Sequence, residues 1–142
     1  MGVQAEMIGV NDLNSAYRGA IIPHLITQEL ISLNYLNDKK PNFWMREKKE
    51  ASSEVDLVFS YKDMVIPIEI KSGKTGRLKS LHQFVERSSH PYAIRMYGGE
   101  FKIERSITPN SVDYLLMNLP YYLGTKIPDY IEYFVNNYTL KD

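Results

Sequence analysis

The sequence predicts a mixed α/β domain: one central sheet with helices packed against it. Three observations carry that prediction. The first is a helix-period pattern over residues 17–35. There Ile21, Ile22, Leu25, Ile26, Leu30, Ile31 and Leu33, continuing to Leu36, recur at three- and four-residue spacing, with Pro23 in or near the first turn. The second is residues 54–71, EVDLVFSYKDMVIPIEIK, which read as two adjacent strands joined by Tyr61-Lys62-Asp63. Val55, Leu57, Val58 and Phe59 fill one strand and Val65, Ile66, Ile68 and Ile70 the other, a pattern apolar on both faces, as in interior strands. The third is an amphipathic helix over residues 77–87, with Leu78, Leu81, Phe84 and Val85 inward, followed by strands at 92–97 and 101–107 around Gly98-Gly99.

The other elements follow in order. Residues 1–16 are expected to be a tail or truncated linker, and 17–142 a single domain. Residues 37–42 are a turn cluster, 43–46 a short aromatic strand and 48–53 a polar connection. Pro67 cannot donate to a ladder, so it predicts a bulge or an unpaired side there. Residues 72–76 form a basic, glycine-containing loop, and 88–91 end the second helix. From Val112 onward the chain is expected to be helical or irregular, closing with a Tyr- and Phe-rich helix at 131–138.

Composition narrows the function classes. Seventeen Lys+Arg balance seventeen Asp+Glu, so no global basic field advertises nucleic acid, and any such contact would fall to a local basic patch. With no cysteine there are neither disulfides nor thiolate metal sites, which fits a reducing, cytoplasmic setting. No apolar run approaches the ~18–20 residues that span a bilayer, so no membrane partner is expected. Neither a signal-peptide pattern nor a myristoylation signal is present, since Gln4 and Glu6 interrupt the start and Glu6 stands where Ser or Thr is needed.

Several motifs fail on inspection. Gly73-Lys74-Thr75 resembles the end of a phosphate-binding loop, but the required earlier glycine position is Ile68. His24, His82 and His90 show no metal-ligand spacing and read as lone surface rings, and no serine sits in a nucleophile elbow. What survives is a set of charges on apolar strands. Alternation puts Glu54 with Asp56, and Glu69 with Lys71, on shared faces, and the hairpin would set Asp56 beside Glu69. Two carboxylates there suit Mg²⁺ or Mn²⁺, with Lys71 positioned to orient a water or stabilise negative charge. Cross-strand ion pairing among Glu54, Asp56, Glu69 and Lys71 explains the same pattern about equally well.

Asp56, then Glu69-Ile70-Lys71 ending an apolar strand before a helix, resembles the PD-(D/E)XK nuclease superfamily. That resemblance implies a restriction-endonuclease-like core of helix, three strands, helix and strand, matching the order read over residues 17–97. It also implies metal binding by Asp56 and Glu69, with catalytic help from Lys71. A closer resemblance runs from about Tyr17 to Leu123, through Gly19-Ala20, Gln28-Glu29-Leu30, Phe43-Trp44, Ser53-Glu54-Val55-Asp56, Pro67-Ile68-Glu69-Ile70-Lys71-Ser72-Gly73 and Leu78-Lys79-Ser80-Leu81-His82-Gln83-Phe84. Together these are similar to the DUF4143 family, which implies the C-terminal domain of a bacterial or archaeal AAA-type ATPase whose ATPase domain lies upstream of this chain.

Two departures qualify what the resemblance implies. Val55 replaces the proline of the first motif, and Pro23 stands where the family tends to place a glutamate on the first helix. Glu29 is six residues further on and not on the same face, so it does not stand in for that glutamate. The expected activity is metal-dependent phosphodiester hydrolysis on nucleic acid, with DNA and RNA both open as substrate, and with Lys74, Arg77 and Lys79 meeting phosphates and Gln83 beside them. The alternative is an inactive nuclease-fold module that binds or regulates, with Tyr114, Tyr121, Tyr122, Tyr130, Tyr133 and Tyr138 forming a protein interface or packing on the sheet. A homo-oligomer stays open under either reading.

Overall fold

The tight hairpin at the centre of the chain dictates the sheet. In the computed structural model, residues 55–71 and 77–141 are described, with the backbone of Phe43–Met45 and the helical positions Leu25 and Gln28. β1 (Phe43–Met45), β2 (Leu57–Tyr61) and β3 (Met64–Ile70) form an antiparallel meander. The β2–β3 turn is Lys62-Asp63, with Lys62 at φ 52, the positive value a two-residue hairpin loop demands. The chain then crosses through α1 (Lys79–Arg87) to β4 (Tyr92–Tyr97), which lies parallel to β3. β5 (Lys102–Ile107) and β6 (Asp113–Pro120) complete a mixed sheet in the order β1-β2-β3-β4-β6-β5. A 3-10 turn (Tyr121–Lys126) leads into α2 (Ile127–Asn137).

Each sheet face has its own core. Leu57, Phe59, Ile66, Ile68, Ile70, Tyr92, Ile94, Met96, Leu115, Met117 and Leu119 pack with Ile127, Ile131 and Phe134 of α2. Val55, Ala93, Tyr114 and Leu116 pack with Leu81 and Val85 of α1. In both helices the buried positions are three or four residues apart, which is what a helix needs to present one apolar stripe. Tyr92 ties the far end of α2 to the sheet, stacking edge-on against Phe134 at 5.1 Å and donating to the Tyr138 carbonyl at 2.7 Å.

Residues 112–120 overturn an expectation. Instead of helix or irregular chain, Asp113–Pro120 is a strand inserted between β4 and β5. Its apolar run Tyr114-Leu115-Leu116-Met117 shows no polar alternation because both faces are covered: even-numbered side chains enter the α1 core and odd-numbered ones the α2 core. The last helix starts at Ile127, ahead of the expected 131, using Pro128 in its first turn, where a missing N–H is harmless. The expected strand at 92–97 is β4, and Pro67 is tolerated as anticipated. It pairs with Val58 on one side, while the ladder to β4 begins only at Ile68. The rest of the helix expected at 17–35 lies outside the described residues.

Phe134 is fully buried and joins α2 to the sheet. Phe134→Ala is expected to lower unfolding free energy by about 3–5 kcal/mol, since it removes a large ring and leaves a cavity. Urea denaturation followed by circular dichroism checks this, and a loss below about 1 kcal/mol would show that α2 does not hold the core.

Candidate functional site

The site grows out of the register of the hairpin. Leu57 faces Ile68 across β2 and β3, so one further step sets Asp56 across from Glu69. Ile68 and Ile70 turn into the α2 core, so Glu69 faces the α1 side of the sheet, with 7% of its surface exposed. One oxygen, Oε1, accepts a 2.7 Å hydrogen bond from Lys71 Nζ, while Oε2 is buried with no hydrogen-bond partner. Asp56 is exposed, and its Oδ2 accepts from the Ile70 backbone N–H at 2.8 Å, pinning the start of β2 to the end of β3. Lys71 is held by its own N–H donating to the Met96 carbonyl at 2.9 Å.

Burial pushes the Glu69 carboxyl above its ordinary value of 4.5; the Lys71 hydrogen bond opposes this and the Asp56 charge adds to it. Asp56, Glu69 and Lys71 are therefore brought together as expected from the sequence. Among the described residues no third His, Cys, Asp or Glu joins them in a cluster suited to a metal ion.

The proposed phosphate-contacting residues fall elsewhere. Arg77 and Lys79 are exposed at the start of α1, and with Gln83 they line a cleft of about 740 Å³ between α1 and the sheet. Asp56, Glu69 and Lys71 do not line that cleft. The Gln83 Oε1 atom is buried and without a partner. Lys74, Glu54 and Glu29 lie outside the described residues.

His82 and His90 are not free surface rings, while His24 lies outside the described residues. His82, half-buried, has Nε2 3.0 Å from the Tyr114 hydroxyl in the same cleft, and burial lowers its pKa against the pull of Glu86. His90 accepts from the Tyr92 N–H at Nδ1 (3.2 Å), which leaves Nε2 to donate to the Val65 carbonyl at 2.8 Å.

Sequence reasoning missed a polar row crossing the sheet on the Glu69 side. Glu69 neighbours Arg95, Arg95 neighbours Asn118, and Asn118 neighbours Lys102 on successive strands. Arg95 Nε donates to Asn118 Oδ1 at 2.7 Å, and its guanidinium lies 4.5 Å from the centre of the Tyr97 ring. Asn118 is fully buried, and its amide donates to Glu104 Oε1 at 2.9 Å and to the Lys102 carbonyl at 3.3 Å. Glu104 is ion-paired with Lys102, whose hydrogen bond is the main reason its carboxyl sits below the ordinary range. The signal was available: Arg95 and Asn118 interrupt the apolar strands YAIRMY and DYLLMNLP as Glu69 interrupts MVIPIEI.

Fold and site together define a mixed α/β domain with a carboxylate pair and a lysine at the end of its central hairpin. The chain belongs to the DUF4143 family, a domain of unknown function whose model matches residues 18–122. No match was found among curated proteins or among solved structures. No helix among the described residues is long and apolar enough to cross a membrane.

The raised Glu69 pKa has a stability consequence. The folded state holds the Glu69 proton more tightly than the unfolded state, so this group's contribution falls as pH rises from about 4.5 through the folded value. Glu69→Gln is expected to melt higher than the parent at neutral pH, with the gain shrinking toward pH 4. Calorimetric melting across that range checks it, and a variant that melts lower at pH 7 would show that the Lys71 pair outweighs burial.

Proposed function

We propose that this chain is a nuclease-like module that binds a divalent cation through Asp56 and Glu69 and acts on the phosphodiester backbone of nucleic acid, DNA or RNA. The carrying observation is the buried, unpartnered Glu69 Oε2 on the strand position facing Asp56. An orphaned carboxylate oxygen opposite a second carboxylate suits a hard cation such as Mg²⁺ or Mn²⁺. When bound, the ion would supply Lewis-acid stabilisation of charge developing on the phosphodiester. Lys71 keeps Glu69 oriented through Oε1, leaving Oε2 for the ligand, and adds a cation beside the reacting centre. Three antiparallel strands followed by a helix and a parallel strand also support the nuclease-like reading, since that is the order the PD-(D/E)XK resemblance implies. In this proposal residues 17–142 form one domain that works with an AAA-type ATPase domain upstream.

A second reading is an inactive member of the same fold that serves as a binding or regulatory platform. It is favoured by a specific observation: each carboxylate already gives one oxygen to the protein, Asp56 to Ile70 and Glu69 to Lys71. Cleavage of single- and double-stranded DNA and of RNA, with Mg²⁺ or Mn²⁺, separates the two. Metal-dependent cleavage that falls about 10²-fold or more in Glu69→Ala is expected, the scale of removing a group that stabilises the transition state. Absence of both cleavage and metal binding would transfer the proposal to the platform, and cleavage persisting in Glu69→Ala would point to a contaminant.

A further inference from the structure

We propose that Arg95 forms a phosphoryl-binding subsite on the α1 face of the sheet, separate from the carboxylate pair and requiring no metal. Arg95 is half-buried on β4, between β3 and β6. Its Nε is committed to Asn118, but among the described residues its two terminal nitrogens have no hydrogen-bond partner and no carboxylate is ion-paired with it. The nearby acids are already engaged, Glu69 by Lys71 and Glu104 by Lys102. Glu104 reaches Arg95 only through Asn118 and by its field, so the terminal N–H groups of this partly desolvated cation keep hydrogen-bonding capacity for an arriving anion.

The guanidinium is also held in place before any ligand binds. Asn118 fixes its plane from one side and is itself buried with both amide functions bonded. Tyr97 supports its face, and Tyr97 is in turn fixed by a 2.6 Å hydrogen bond from its hydroxyl to the Glu100 carbonyl. The Tyr97 ring lies so close over Gly99 that any side chain there would collide with it. An arginine whose Nε is anchored offers its terminal N–H groups as a planar fork, which matches two oxygens of a phosphoryl group. Arg95 lines the α1 cleft together with Arg77 and Lys79; the cleft's two carboxylates are already engaged, Glu104 by Lys102 and Glu86 by Asn110, so the net charge presented to a ligand is positive.

The test is made in EDTA, so its outcome does not depend on the carboxylate pair holding metal. Inorganic pyrophosphate and a short single-stranded oligodeoxynucleotide are titrated into the protein while arginine Nε–H signals are followed by ¹⁵N–¹H NMR. The Arg95 signal is expected to shift saturably, with Arg95→Lys weakening binding about tenfold or more and Lys126→Ala, which removes an exposed cation outside the cleft, leaving it unchanged. Tighter binding of the oligonucleotide would identify nucleic acid as the source of the phosphoryl group, and equal or tighter binding of pyrophosphate a free phosphate compound. A static Arg95 signal at high ligand, full affinity in Arg95→Lys, or an equal loss of binding in Lys126→Ala would each overturn the proposal.

Discussion

Glu69 is a carboxylate placed on a strand that is buried on both faces, and much of the surrounding arrangement answers to that. Ionised and unpaired it would be strongly unfavourable there, so the chain surrounds it with specific remedies. Lys71 caps one oxygen from the same strand face, two residues on. Asp56 bonds to the Ile70 backbone, which clamps the end of β3 against the start of β2 and fixes the direction in which Glu69 projects. Beside it, β4 supplies Arg95, the obvious electrostatic partner for Glu69 on an adjacent strand. Yet Arg95 turns away, toward Asn118.

That turn separates two charges that would otherwise neutralise each other. A Glu69–Arg95 pair would satisfy both groups at short range, and breaking it to bind anything would forfeit that pairing. Instead each is anchored by one atom and left with another unengaged: Oε2 on the carboxylate and the terminal nitrogens on the guanidinium. Asn118 makes this possible because an amide can accept from Arg95 with its oxygen while its nitrogen donates onward to Glu104 and Lys102. A leucine at this position, continuing the apolar run of β6, would release Arg95 toward Glu69. The buried amide thus holds Arg95 on the β6 side of the row, away from Glu69 on β3.

The central hairpin was legible because its charges contradict its setting. Four ionisable residues within a run of valines and isoleucines demand a reason, and Glu69 and Lys71 emerged from it directly. β4 was equally plain, bounded by His90-Pro91 and Gly98-Gly99. β6 was not, because a strand buried on both faces loses the alternation that distinguishes it from a helix, and its Tyr-Leu-Leu-Met core suits either. Arg95 and Asn118 stayed hidden for a related reason. Their significance lies in register across strands, and the parallel β4–β6 pairing skips over β5 in sequence. The separation of Gln83, Arg77 and Lys79 from the carboxylates was invisible too, since helix spacing fixes which residues share a face but not which strand that face meets.

The two helices divide the labour between the faces of the sheet. α2 covers one face with an apolar stripe running through Ile127, Ile131 and Phe134, and that side is a closed core. α1 covers the other face only in part, with Leu81 and Val85 seated on Ala93, Tyr114 and Leu116. Beyond those contacts the helix stands off the sheet, and the cleft it leaves is lined by Arg95, Gln83 and the His82–Tyr114 pair. Filling that space with apolar side chains would bury more surface and add stability. Polar groups occupy it instead, one of them, Gln83 Oε1, buried without a partner. A protein that keeps an unsatisfied amide oxygen and a guanidinium bonded only through Nε along one cleft forgoes stability there, and a ligand that satisfies both would recover it.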